Sequence, residues 1–218
     1  MGQNVYISKR NEIFAQKVVT NFQKRFFDAC YVQTKADALK KAVELIPKTD
    51  TVSWGGSTSV VETGLIEYLI NNGYKTLNRD LAKTAEEKMQ ILRQALLCDT
   101  YLMGTNAITN DGELVNVDCI GNRVGALMFG PKSVIVIAGM NKVTDNIDVA
   151  IKRARNYAAP VNMQRIAEKN TRQTPCCKTG ECHNCISKDS ICSNIVITRL
   201  CNPQNRIKVI LVGENLGF

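Results

Sequence analysis

Two stretches of the chain carry residue types whose spacing could do chemistry. The first is Thr51-Val-Ser-Trp-Gly-Gly-Ser-Thr-Ser-Val-Val-Glu-Thr-Gly64. A β-branched run ends in Gly55 and Gly56, the hydroxyls of Ser57, Thr58 and Ser59 follow, and a helical pattern then begins. Strand, glycine loop and helix start make an anion-binding device, because glycines let the backbone close on a ligand and free amides at a helix start point at it. The bland reading is a strand-to-helix turn in which Ser59-x-x-Glu62 forms a capping box and Glu62 only satisfies a backbone amide. A double glycine exceeds what capping needs. The loop is therefore taken as an anion site, and Glu62 as no more than a weak catalytic candidate.

The second stretch, Cys176 to Cys192, holds five cysteines. Thiolates at C-x2-C spacing can reach one metal centre, since two intervening residues make a tight turn. Cys176, Cys182, Cys185 and Cys192 are four potential ligands. Cys177 is then a neighbour and Cys201 an alternative outside the cluster. Four thiolates suit an iron–sulfur cluster or zinc, and softness alone does not choose between them. The spacing is neither a bacterial ferredoxin run nor an ordinary zinc ribbon, and reduced thiols without a metal are the third alternative. His183, the one histidine, is read as a bystander, which leaves no Ser–His–Asp arrangement to consider.

A polar series surrounds these stretches. Asn106 and Asn116 could hold loops through side-chain-to-backbone bonds. Asp118, Asn122 and Arg123 lie at a turn and the following helix start, where a guanidinium could clamp a carboxylate or phosphate, or form a surface ion pair. Lys142, after a strand, could add a second positive charge. The anion-binding candidates are thus Gly55, Gly56, Ser57, Thr58, Ser59, Asn106, Asn122, Arg123 and Lys142. Trp54, an aromatic at a strand end, is expected in the core. Gly55-Gly56 lacks the G-x-G-x-x-G spacing, so no NAD fingerprint is present.

The elements that must position these residues alternate. Helical stripes run over about 8–27 (Ile13, Phe14, Val18, Val19, Phe22, Phe26, Phe27, with Ser8 as a cap), 35–46, 60–72 (Val61, Leu65, Tyr68, Leu69 inward), 84–98, 121–129 and 144–157, with a further piece from Pro160. Strands are expected at 29–33, 51–54, 74–77, 100–103, 114–117, 132–138, 195–198 and 207–212, with a turn at Asn110–Glu113. Lys132–Ala138 is a continuous apolar run of the kind buried on both faces. Residues 171–192 show no periodicity. Alternation of this kind implies an α/β fold with a mostly parallel sheet and flanking helices. Ligands in such sheets bind at the carboxyl ends of strands, so loops at Gly55, Gly104 and Gly139 should converge on one crevice.

Composition sets the frame. The chain has 218 residues, 44% hydrophobic and 22% charged, enough for one globular domain over 1–218 with a sizeable core. No apolar run reaches the length of a membrane span, and Met1-Gly-Gln-Asn-Val-Tyr lacks the form of a signal peptide or a myristoylation site. A cytoplasmic protein is the expectation, and nine cysteines there ask for a metal or redox role rather than a disulfide framework. The net charge of +8 comes from scattered Lys and Arg without an aromatic-and-basic motif. Nucleic acid is therefore disfavoured against a small anionic metabolite or a solvated basic surface.

Several motifs together resemble a known family. Trp54-Gly-Gly-Ser-Thr-Ser with Glu62 and Gly64, Met103-Gly-Thr-Asn-Ala-Ile-Thr-Asn-Asp-Gly-Glu-Leu-Val-Asn-Val-Asp118, Gly121-Asn-Arg-Val-Gly125 and Ala138-Gly-Met-Asn-Lys142 are similar to those of LUD-domain (lactate-utilisation) proteins. Thr174-Pro-Cys, Lys178-Thr-Gly-x-Cys-x-x-Cys185 and Val212-Gly-Glu-Asn-Leu-Gly-Phe218 extend the likeness to the subgroup with a C-terminal cysteine-rich segment, here about 171–201. The resemblance implies a ribose-phosphate isomerase and CoA-transferase-like fold whose glycine loop binds phosphate or a related anion. It also implies a role in oxidising L-lactate or a related 2-hydroxy acid, with other lactate-oxidation proteins as partners; a homo-oligomer is a separate expectation that the sequence leaves open. Sugar-isomerase relatives resemble Gly104-Thr-Asn-Ala but carry a proton-transferring Asp in place of Asn106, and an amide does no acid–base work at neutral pH. The competing expectations are an enzyme acting on a phosphorylated or CoA-linked metabolite, and a non-catalytic ligand sensor.

Overall fold

The computed structural model describes residues 5–168 and 172–218. The readings at Met1–Gly2 and at the Thr171 boundary lie outside them. Helix α1 (Val5–Lys24) leads into β1 (Asp28–Val32), α2 (Lys35–Glu44) and β2 (Thr51–Trp54). Then come α3 (Thr58–Glu62), α4 (Leu65–Asn71), β3 (Lys75–Leu77), α5 (Ala85–Gln94), β4 (Thr100–Met103), β5 (Ala107–Thr109) and β6 (Leu114–Asp118). The chain continues through α6 (Asn122–Met128), β7 (Ser133–Gly139), β8 (Val143–Thr144), α7 (Ile147–Arg153) and α8 (Ala159–Ala167), with one wider helical turn at Ala154–Ala158 joining the last two. It closes with α9 (Pro175–Thr179), β9 (Asn194–Thr198) and β10 (Ile207–Val212).

Six strands pair in parallel in the order β1-β10-β7-β4-β2-β3. β7 lies near the middle, and its apolar run splits by the two-residue period of a strand. Val134, Val136 and Ala138 pack with Val18 and Phe22 of α1 on one face. Ile135 and Ile137 pack with Ala38 and Ala42 of α2 and with Leu65 and Leu69 of α4 on the other. Burial on both faces explains why this strand was the most legible in the sequence. Trp54 is 2% exposed and belongs to the second face.

A second sheet, β8-β5-β6-β9, was not foreseen. β5 and β6 form an antiparallel hairpin across the expected turn at Asn110–Glu113, where Gly112 has φ +85°. β9 pairs antiparallel with β6, from Leu114↔Thr198 to Asp118↔Asn194, so the 195–198 strand leaves the main sheet altogether. Ala107, Val115 and Val117 of this sheet pack on Ala150 and Ala154.

Other boundaries moved for local reasons. α1 begins at Val5, so Ser8 lies within it and is no cap. It ends at Lys24, and Phe26 turns outward at φ +66°, while Phe27 returns to the core and meets Phe22 edge-on at 5.2 Å. Ile13 also faces out. The helix expected over 60–72 is cut by Gly64, whose φ of +75° resets the helical phase. Leu65 and Leu69 stay inside, but Val61 and Tyr68 end on the surface. Among the described residues no helix is long and apolar enough to cross a membrane.

Candidate functional site

Loops at the carboxyl ends of β2, β4 and β7 meet at one cavity of about 220 Å³. Gly56, Ser57, Thr58 and Ser59 come from the first loop, Gly104, Thr105 and Asn106 from the second, and Lys142 from the third; Asp118, Asn122 and Arg123 line it as well. The convergence follows from strand order, since β2, β4 and β7 are neighbours. Close approach explains the glycines: a Cβ on Gly56 would stand 2.7 Å from Arg79 Nη2, and one on Gly104 would stand 2.6 Å from Ser57 Oγ.

The helix start differs from the sequence expectation. Ser57, not Ser59, caps α3, accepting from Val60 N at 3.3 Å. Ser59 lies inside the helix and is buried, so the Ser59–Glu62 capping box does not form. Glu62 instead accepts the Gly217 amide at 2.8 Å and ties down the C-terminal strap. α3 has only five residues. A macrodipole sums over aligned peptides, so charge from side chains must do most of the anion's work here.

That charge is present. Arg79, Arg123, Lys142, Arg165 and Arg172 all line the cavity. Asp118 is the acidic side chain among the lining residues, and Arg123 neutralises it at 3.1 Å. Arg123 spends all five of its N–H donors inside the protein. Nε goes to Asp118; the Nη pair goes to the carbonyls of Gly104 and Val117 and to the side-chain oxygens of Asn116 and Asn106. Its role is therefore to hold the β4 loop against β6 and to contribute charge; the fork has no donor left for a ligand. Asn106 Oδ1 also accepts from Val117 N at 2.9 Å, so this amide is a loop fastener.

Arg79 contrasts with Arg123. Its Nε is buried without a hydrogen-bond partner among the described residues, and its nearest carboxylate, Asp80, stands 3.8 Å away. Tyr101 Oη, at 3.3 Å from a Cβ built on Gly55, is buried and unpartnered too. Burial pushes the Tyr101 phenol up to about 12 against the opposing pull of Arg79 and Arg123. Lys142 is 4% exposed and donates to Ser59 Oγ (2.8 Å) and the Thr105 carbonyl (3.1 Å). Burial, then Arg153 and Arg123, bring its pKa down to about 7, with Glu62 opposing.

The cysteines form a second, smaller cavity of about 60 Å³. Cys176, Cys182, Cys185 and Cys192 all line it, together with Thr174, Arg155 and His183, while Cys177 does not. All nine cysteines are free thiols. Thr174 Oγ1 lies 3.0 Å from Cys176 Sγ, Arg155 Nη2 lies 3.9 Å from Cys182 Sγ, and His183 Nε2 is held by Thr179 Oγ1 at 2.8 Å. Burial raises the Cys192 thiol to about 11, and the negative charges of Cys182, Cys176 and Cys185 add to that. Among the described residues no three of these or other His, Cys, Asp or Glu side chains are grouped to hold a single metal ion. Cys201 is buried away from them, accepting from the Ile207 amide at 3.2 Å.

Arg79, Thr105, Arg165, Arg172 and Cys119 were not foreseen. Arg79 follows β3, so the rule about loops after parallel strands could have found it. Arg165 on α8 and Arg172 beyond it carry no sequence signal; they line the cavity together with Ala159, Asn162 and Ile166 of α8.

The LUD domain family model matches residues 15–212. None of the curated proteins matches the chain. Among solved structures, the chain is similar to a DUF162 family protein from Deinococcus radiodurans at 12% identity and TM-score 0.52, with 93% of this chain and 98% of that one covered. At that identity the likeness speaks for the fold alone. Partial likenesses are found to ribose 5 phosphate isomerase A from Neisseria gonorrhoeae (18% identity, TM-score 0.34, 52% of this chain and 54% of that one). The tetrameric eIF2B-beta2-delta2 complex from C. thermophilum is another (13%, 0.40, 83% and 56%).

Proposed function

The chain belongs to the LUD-domain family, linked in general to lactate utilisation, and on that premise we propose that it binds a small 2-hydroxy or 2-oxo acid in the arginine-lined cavity, beside a metal centre held by Cys176, Cys182, Cys185 and Cys192. One observation carries the pairing of the two sites: Ala159 and Ile191 line both cavities, so a single layer of side chains separates them. An anion in one and a redox centre in the other would be near neighbours.

The donor chemistry supports such a centre, although among the described residues no three of these side chains are grouped to hold a single ion. Four thiols line one space, and sulfur donors suit an iron–sulfur cluster or zinc, which supports the reading. When bound, a cluster of this kind would supply one-electron transfer. Other lactate-oxidation proteins are the partners this reading implies. The protein's own residues do the rest: Arg79, Arg165 and Arg172 attract the carboxylate, and Arg123 with Asn106 keeps the β4 loop in place.

Anaerobic purification with iron, sulfide and zinc analysis and an optical spectrum tests the metal half. A colourless preparation that takes up neither iron–sulfide nor zinc would sink it. Calorimetry with L-lactate and pyruvate tests the other half. The positive lining suits a phosphate as well as a carboxylate, so a sugar phosphate or CoA ester bound in preference to both acids would favour an enzyme of phosphorylated or CoA-linked metabolites.

A further inference from the structure

Lys142 is placed unlike an anion clamp. Clamping cations hold flexible, partly wet positions, whereas this amine is buried and fixed by two acceptors, Ser59 Oγ and the Thr105 carbonyl. Ser59 Oγ in turn donates to the Leu216 carbonyl at 3.3 Å. The serine proton is thus committed, and Ser59 meets the amine with a lone pair. This direction of bonding makes the lysine, and not the serine, the group with an uncommitted valence.

No carboxylate among the described residues stands within ion-pair distance of Nζ. Arg123 faces it from α6 and Arg153 from α7, both opposing its charge. Glu62 of α3 supports the charge from further away, with its own Oε2 taken by Gly217. A neutral amine has two N–H bonds and one lone pair. The two fixed acceptors match the two N–H bonds and leave the lone pair free on a side chain that lines the cavity. Gaining a proton keeps both bonds and adds a third donor. Forming an imine would instead remove both amine hydrogens, leaving at most one N–H when protonated, and so take the donor away from Ser59 Oγ or the Thr105 carbonyl, a loss that is costly in a buried setting. Gaining a proton is therefore compatible with both fixed bonds, whereas a covalent adduct is not.

We propose that Lys142 is a proton-transfer residue for a 2-oxo acid seated in this cavity. Its amine takes the proton from the carbon beside the ketone: the C–H bond breaks, an N–H bond forms, and the electron pair moves onto the ketone oxygen as an enolate. The cationic wall stabilises that oxygen as charge develops. The reverse step returns the proton, so no oxidant is consumed. The inference rests on the small-carboxylate reading of the cavity.

Deuterium exchange into the methyl group of pyruvate, followed by proton NMR in D2O, tests it, with calorimetry reporting pyruvate binding separately. The wild-type protein is expected to accelerate exchange, with a rate that rises as pH passes about 7 and then levels. Lys142→Met should lose roughly a hundredfold of that acceleration while still binding pyruvate. Ser59→Ala should keep exchange within about tenfold, because towards Lys142 Ser59 only accepts. Binding without exchange overturns the role of Lys142 and leaves the carboxylate reading intact. No pyruvate binding overturns both. If the methionine variant fails to fold, the wild-type profile still decides: a rate with no inflection between about pH 6 and 8 overturns the proposal.

Discussion

The arginine cavity and the thiol cavity share a wall but are built in opposite ways. The first sits on the ends of β2, β4 and β7, and its parts are locked to one another by Arg123, Asn106, Ser59 and Lys142 through direct hydrogen bonds. The second is made from an irregular segment with one short helix, α9, and its thiols make few strong bonds. A site held by a sheet is preorganised before its ligand arrives. A site held by a loop needs its ligand to complete it, as structural metals do elsewhere.

The contrast can be broken at its weaker side first. Cys185→Ser should leave metal content below about a tenth of wild type, while the thermal midpoint of the main domain moves by no more than about 2 °C. Metal uptake should also weaken at lower pH, since ligation needs thiolates and Cys192 is held protonated up to about 11. A large fall in midpoint on losing one thiol would mean that the two regions are not built differently after all.

On the preorganised side, Arg123→Ala strands Asp118 and several buried acceptors. It should cost about 3–5 kcal/mol and lower the midpoint by about 10 °C, read by calorimetric or CD melting. Arg79→Ala should do the reverse, leaving stability nearly unchanged and weakening lactate or pyruvate binding roughly tenfold, because its Nε makes no hydrogen bond and its contact with the exposed Asp80 is a loose 3.8 Å ion pair.

Lys142 gives a subtler signature. Its folded pKa of about 7 lies below its usual 10.5, so between these values the unfolded chain holds a proton that the folded one does not. Stability should therefore rise with pH across that window, by up to about 1.4 kcal/mol per unit, and Lys142→Met should flatten the slope in urea titrations. The smallest effect is expected from Gly56→Ala. Its Cβ would press on the far end of Arg79, a flexible group, so the fold should hold while affinity drops a fewfold, roughly 0.5–1 kcal/mol.

Legibility in the sequence followed how local each cause was. The α/β class, β7, the Asn110–Glu113 turn and the three converging loops rest on periodicity, turn chemistry and the strand-end rule. Val61 and Tyr68 were misplaced because one left-handed glycine, Gly64, splits the stretch into two short helices, so a single stripe does not describe both, and glycine alone does not announce its φ. The second sheet was missed because β9 finds its partner β6 far away in sequence, and alternation carries no information about which sheet a strand joins. Arg123 looked like a clamp by residue type; its saturation depends on five acceptors drawn from separate stretches.

What the sequence determined by itself is the inventory: a glycine loop between strand and helix, a positive balance, and four thiols at metal-capable spacing. Only the tertiary structure decided their assignments. Folding spent the Arg123 fork on the protein and left Arg79 without a partner for its Nε. It moved the cap from Ser59 to Ser57, and buried Lys142 between two arginines. The reason is physical: a side chain's charge state and free valences depend on which atoms surround it, and those atoms come from parts of the chain that only the fold brings together.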